Sequence, residues 1–369
     1  MAHRNGSSWP HRWFVSDEPH RFGSGWISGT IGAVLGLAAA GTAVCLAWPE
    51  MATMAALRAH WPDWVRPAAL AAAAVAFGLG VVSGCLRRRK TLAVIALGSA
   101  LATFALSALP PREAGTDPAP RGLAIDAFVL NLLAYSAVFV PLERLWPRRA
   151  DQPTFRPEWW TDFAWFVASA VFVQLTTFLT LAPGQMLAAV TPLALASLPF
   201  VLQLALVVVV ADVLQYWIHR TCHRVPLLWR FHEVHHSATT MDWLAGSRLH
   251  VVDALLTRGL VYAAIALLGF DLRVVAAYLV LVAAQATFVH ANVGWRLGWL
   301  EPFAVTPRFH HWHHAESPID VNFAIHLPWL DRLFGTWHLP HATWPERYGL
   351  ADGRPGPRGF WRQLLLLRR

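Results

Sequence analysis

Residues 196–223 read ASLPFVLQLALVVVVADVLQYWIHRTCH. From 196 to 218 the run is apolar for about the 20 residues that a roughly 30 Å hydrocarbon core requires, and it ends on two histidines four apart. On a helix, His219 and His223 share one face and reach one ion. An open sheet would leave edge amides unsatisfied in lipid, so the stretch predicts a membrane-spanning helix that carries a metal-binding end.

Seven further apolar runs extend the pattern: 26–48, 67–86, 91–109, 123–143, 160–181, 251–270 and 273–289. Only Asp271, Leu272 and Arg273 separate the last two, which form a helical hairpin whose depth sets the count at six to eight spans. Hydrophobic residues make up 56% of the chain and charged ones 14%, which fits this reading. The expected fold class is an all-α integral membrane bundle with a cytoplasmic histidine-rich cap holding a di-metal site. Residues 1–25 carry five charges of mixed sign before a first run too long for a signal-peptide core, so a cleavable signal is not expected.

Basic residues orient the bundle. With a cytoplasmic N-terminus, Arg87, Arg88, Arg89, Lys90, Arg144, Arg148, Arg149 and Arg156 lie inside, whereas the loop 182–195 has no charge. This arrangement brings every histidine group to the cytoplasmic side. The net charge of +8 reflects that bias, without the interleaved basic and aromatic stripe of a nucleic-acid binder.

Fourteen of the eighteen histidines lie between His219 and His341. Besides His219 and His223, two HxxHH groups stand out: His232, His235 and His236 in HEVHH, and His310, His313 and His314 in HHWHH. Read as helices, each turns three rings toward one side. Eight imidazoles exceed one ion's coordination number, so two metals are expected. His290 follows a span on the same side and joins as a ninth ligand. His311 is out of helical phase with His310 and His314 and is left out, as is Glu233. His250 and His326 are weaker candidates.

Residues 26–120 are rich in Ala, Gly, Val and Leu and read as scaffold after a tail at 1–25. The chemistry is expected in 121–345, followed by a basic tail at 346–369. Polar residues enter the spans only in that second part, among them Asp162, Gln203, Asp212 and Gln215, and ionisable groups in a membrane are functional candidates by default. Asp212 lies two turns before His219 and is expected either to orient an imidazole by accepting its second N–H or to pair with Arg220. Cys45, Cys85 and Cys222 have no paired spacing, so no disulfide is expected, and Cys222 points about 100° from His223.

DVLQYWIHRTCHRVPLLWRFHEVHHS (212–237), HANVGW (290–295), TPRFHHWHHAES (306–317) and NFAIHLPWLDRLFGTW (322–337) resemble the sterol desaturase and fatty acid hydroxylase superfamily of membrane di-iron oxygenases. The resemblance covers about 205–340 and leaves the first hundred residues unmatched. It implies two iron ions held by the nine histidines named above and a lipid substrate entering from the bilayer. NFAIH departs from the usual pattern at His326. Neutral imidazoles suit Fe(II), which must give electrons to oxygen. Electrons are then expected from a separate donor of reductase, ferredoxin or cytochrome type. Two other classes remain open. A metal transporter or sensor would place ligands near mid-membrane in broken helices, and a bis-histidine haem carrier would leave the HxxHH groups unexplained.

Overall fold

The computed structural model describes residues 23–53, 61–109, 125–172, 195–341, 343–354 and 356–366. Among them every regular element is helical, apart from isolated bridges between Pro147 and Val293 and between Ala315 and Tyr348. The chain forms two compact units, 1–134 and 135–369. The division falls inside a helix.

The first unit contains α1 (Trp26–Ala47), α2 (Val65–Leu86) and α3 (Thr91–Ser107). Each buries a stripe of small residues at helical spacing: Gly29, Gly32, Gly36 and Ala39 on α1, Ala69, Ala73, Ala76 and Gly80 on α2, and Ala93, Ala96 and Ala100 on α3. Large apolar side chains such as Ile31, Leu37, Val81 and Val94 point outward. That pattern inverts a soluble bundle and suits helices that pack backbone to backbone in lipid. Contact is close at Gly29, where an added Cβ would lie 2.3 Å from Ser83 Oγ and 2.9 Å from Leu92 Cβ.

The second unit takes up the chain within α4 (Ile125–Leu145). A helix α5 follows over 159–172, where the described part of the expected 160–181 span ends. The uncharged loop 182–195 lies outside the described residues except for Leu195. Next come α6 (Phe200–Arg224), α7 (Pro226–His236), α8 (Val251–Leu267), α9 (Leu272–His290), α10 (Pro307–His313), α11 (Trp329–Leu333) and α12 (Phe360–Leu364). Val207 and Ala211 of α6 pack on Val261 and Ile265 of α8 and Val274 and Tyr278 of α9.

Among the described residues four helices are long and apolar enough to cross a membrane, α1, α2, α6 and α9. The helix α6 runs unbroken past the apolar run to Arg224, so His219 and His223 stand on its end, as the sequence leads one to expect. The hairpin turn is Leu268–Asp271, where Asp271 caps α9 by accepting Arg273 N–H at 2.7 Å. Pro226 and Pro307 occupy the first turns of α7 and α10, where the missing N–H costs nothing. Within the expected basic tail from 346 some residues pack inward. Gln363 is fully buried, taking Trp165 Nε1–H at 2.6 Å and donating to Ser237 Oγ at 3.2 Å, and Tyr348 is also buried.

Gly29→Leu should destabilise the first unit by about 1–3 kcal/mol through overpacking. Lowered thermal unfolding of the detergent-solubilised protein, relative to Gly41→Leu where an added Cβ meets nothing, would register it.

Candidate metal centre

The nine expected histidines come together in two groups whose ligand nitrogens lie within 4.8 Å of one another: His219, His223, His232, His236 and His313 in one, His235, His290, His310 and His314 in the other. The two HxxHH motifs divide between them reciprocally. In α7 the i, i+4 pair His232 and His236 enters the first group and His235 the second. In α10 the pair His310 and His314 enters the second group and His313 the first. The expectation that three rings of each motif face one side is therefore corrected, because residues three apart diverge by about 60° around a helix and straddle two neighbouring centres.

Hydrogen bonds fix which ring nitrogen points inward. In the first group Nδ1–H of His219, His232 and His313 donates to Phe323 O (2.9 Å), Asp253 Oδ2 (2.8 Å) and Val321 O (2.7 Å). His223 Nδ1 stands 3.3 Å from Asp320 Oδ1. The Nε2 atoms of all five rings are buried without a hydrogen-bond partner. In the second group His235 and His290 donate Nδ1–H to Arg248 O (3.2 Å) and Ala286 O (2.6 Å). Their Nε2 lone pairs then face each other at 3.3 Å, and His290 Nε2 lies 3.1 Å from that of His310 and 3.2 Å from that of His314. Opposed lone pairs at that distance repel. A cation about 2 Å from each nitrogen, the usual metal–imidazole length, turns the repulsion into coordination. The donor sets of both groups thus fit metal ions.

Burial, then the neighbouring imidazoles, hold His235, His236, His310, His313 and His314 well below the usual imidazole range. The rings are neutral at pH 7 and able to ligate. Gly246 permits the packing around His290, since an added Cβ would sit 2.7 Å from His290 Nδ1.

The outer partners were only partly foreseen. Asp212 bonds neither an imidazole nor Arg220, and that expectation is corrected: its carboxylate accepts the backbone N–H groups of Ile325 (2.9 Å), His326 (3.1 Å) and Leu327 (2.6 Å). Two helical turns separate it from His219 by about 10 Å, beyond side-chain reach. It acts indirectly, pinning the loop whose Phe323 and Val321 carbonyls orient two rings. Arg220 turns to Tyr216 Oη and Phe334 O. Asp253 was missed, although an acid in the apolar run 251–270 is itself a signal. His311 stands outside both groups, donating Nε2–H to His290 O and accepting from Tyr348 Oη at 2.8 Å. His250 caps α8 and bonds Leu364 O, and His326 joins neither group. Cys222 and Cys45 are buried and Cys85 is exposed, and none of the three is in a disulfide.

Two outcomes follow from this geometry. Asp253→Ala should weaken metal retention by about 10- to 100-fold, read by metal content after dialysis against a chelator. The metal-free protein should lose stability as pH falls below about 6.5, because the unfolded chain then binds protons that the buried rings refuse. Unfolding midpoints at pH 7.5, 6.5 and 5.5 measure this.

The chain matches the fatty acid hydroxylase family over residues 204–336, which contain all nine histidines. The ornithine lipid hydroxylase OlsE of Rhizobium tropici is 30% identical over 255 residues, 66% of this chain and 75% of that protein. Alkylglycerol monooxygenases are similar over a shorter stretch. The one from Danio rerio is 33% identical over 128 residues, 34% of this chain and 28% of its own, and the one from Homo sapiens 32% over 138 residues, 37% and 30%. No solved structure matches significantly. A protein similar over three quarters of a lipid hydroxylase, with the histidine groups inside the matched region, belongs to the fatty acid hydroxylase and sterol desaturase superfamily.

Proposed function

We propose that this protein is a membrane-bound, dioxygen-dependent non-haem di-iron oxidoreductase that hydroxylates or desaturates a lipid of sterol-like, fatty-acyl or ether type. The observation that carries the reading is the split of nine buried imidazoles into sets of five and four with inward-facing Nε2 atoms. His219, His223, His232, His236 and His313 would hold one iron and His235, His290, His310 and His314 the other. The relatives act on lipids, one as an ornithine lipid hydroxylase and others as alkylglycerol monooxygenases.

Two Fe(II) ions would supply electrons to dioxygen and make it able to attack an unactivated C–H bond. In hydroxylation, one C–H bond, O2, two electrons and two protons become C–OH and water. In desaturation, two C–H bonds are lost and two waters form. Both balances need two external electrons, which fits a separate reductase, ferredoxin or cytochrome-type donor. The protein's part is positional. The carbonyls of Phe323, Val321, Arg248 and Ala286 and the carboxylate of Asp253 fix ring tautomers and angles. Burial of the nine rings keeps bulk water from the reacting atoms.

A metal transporter or sensor is the second reading. Continuous helices argue against it, since α6 and α9 reach their histidines unbroken and the rings sit in the last turns rather than at mid-helix. The basic clusters at Arg87–Lys90 and Arg144–Arg149 favour a cytoplasmic site in a bundle of six to eight spans. Thr239 is exposed three residues beyond His236. Cysteine placed there in a cysteine-free background should stay unlabelled by an impermeant reagent in intact cells and label after lysis. Labelling from outside would reverse the orientation.

The anaerobically reconstituted protein should carry about two irons per chain. His219→Ala and His235→Ala, one from each set, should abolish turnover while the protein remains in the membrane. Turnover is a lipid product heavier by one oxygen or lighter by two hydrogens. One iron per chain, or two irons without oxygen-dependent lipid product, would sink the reading.

A further inference from the structure

Beside the histidine groups lies a polar cavity of about 60 Å³ that the proposed chemistry does not use. One water needs roughly 10–15 Å³ on such a measure, so the cavity admits a group of several atoms. Its lining carries both signs of charge, with Glu143, Arg144 and Arg149 from α4 and the segment after it, and Asp242 from the loop after α7.

The commitments of these groups differ. Asp242 is satisfied, taking Arg156 Nη2 at 2.6 Å and Nε at 2.8 Å and the amides of Leu244 and Ala245. Glu143 uses only Oε1, which accepts Trp243 N–H at 2.7 Å and Asn292 N–H at 2.9 Å. Among the described residues its other oxygen accepts no hydrogen bond, and neither Arg144 nor Arg149 makes an ion pair. Arg149 donates instead to the carbonyl of Glu346 and lies 5.5 Å over the Tyr348 ring. The cavity therefore offers two guanidinium groups and one carboxyl oxygen of Glu143, whose pKa burial pushes up to about 8, so that an ammonium beside it is what would hold it ionised. A simple anion would meet Glu143 and a simple cation would meet two arginines, whereas a group bearing both charges finds a partner for each.

The surroundings indicate what presents such a group. Arg144 is in the last turn of α4, and exposed Trp146 packs edge-on against Trp295 with centroids 5.6 Å apart. Basic and indole side chains at a helix end mark the headgroup level of a bilayer. Asn292, also in the lining, is two residues from His290, at most about 7 Å of chain.

We infer that this cavity is a subsite for the zwitterionic headgroup of a lipid, its ammonium against Glu143 and its phosphate or carboxylate against Arg144 and Arg149. The inference rests on the reading of the protein as a lipid-modifying enzyme and narrows its substrates to lipids with a free amine beside an anionic group.

Binding of three lipids with identical acyl chains to the full-length, metal-loaded protein in uncharged detergent tests it. They are phosphatidylethanolamine, phosphatidic acid and diacylglycerol. Phosphatidylethanolamine should bind about tenfold more tightly than phosphatidic acid, and diacylglycerol weakest, because one charge-assisted contact is lost at each step. Arg144→Gln should weaken both charged lipids. Glu143→Gln keeps an oxygen for the two amides and should erase the preference for phosphatidylethanolamine over phosphatidic acid. Equal binding of all three lipids, or an intact amine preference in Glu143→Gln, overturns the proposal. Displacement by free O-phosphoethanolamine at equal concentration would assign the cavity to a soluble zwitterion and also overturn it. Should Glu143→Gln fail to accumulate, Arg144→Gln carries the test, since Arg144 is exposed. Oxidised lipid product without headgroup preference would defeat this inference and leave the oxygenase reading intact. Headgroup preference without any oxidised product would do the reverse.

Discussion

Imidazole has two nitrogens and, when neutral, one proton, so a ring whose N–H has an acceptor outward is held with its lone pair pointing inward. That coupling organises the second unit. Five rings have oxygen acceptors at Nδ1: the carbonyls of Phe323, Val321, Arg248 and Ala286 and the carboxylate of Asp253. Phe323 and Val321 come from one irregular loop, and its geometry is imposed by buried acids on both sides. Asp212 takes the amides of 325–327, and Asp331 those of Phe323 (2.7 Å) and Ala324 (2.9 Å). Asp320 and Asn322 hold positive φ of 60° and 59°, a left-handed conformation that Asp and Asn tolerate better than most residues.

The acceptor for His235 depends on a different support. Arg248, fully buried, is held by Asp162, by Glu158 at 3.0 Å and by Ser237 Oγ at 3.0 Å, and Asp162 is shared with Arg156 at 2.6 Å. Removing one member of such a network leaves an uncompensated charge, at a cost of about 3–5 kcal/mol. Gln363 reaches the same Ser237, so the C-terminal segment braces the residue that follows His236. The support of the second histidine group is thus gathered from α5, the loop after α7 and the end of the chain.

Much of this was legible beforehand. Apolar length marks α1, α2, α6 and α9, and the spacing of HxxxH and HxxHH singles out eight of the nine histidines that the fold gathers, with His290 added by its place at the end of a span and His311 set aside by helical phase. Asp212 was recognised as unusual, but its partners, more than a hundred residues away, were not. Asp253 is marked as unusual by standing in an apolar run, but neither its partner nor that of Asp320 can be read from the sequence, which does not say what lies across from an acid. The composition from 346 onward reads as a basic tail, and only packing reveals that Gln363 and Tyr348 face inward.

The sequence by itself determined which segments are helical and apolar and which side chains are available as ligands, because both depend on local spacing of 3.6 residues per turn. Tertiary structure alone decided that His235 leaves its own motif to join His290, that His313 crosses to His219, and which carbonyl fixes each ring. Those outcomes depend on helices meeting at particular angles and on loops returning to satisfy buried N–H groups. Such matches between distant residues are set by packing and by the cost of an unpaired buried donor, which no local pattern records.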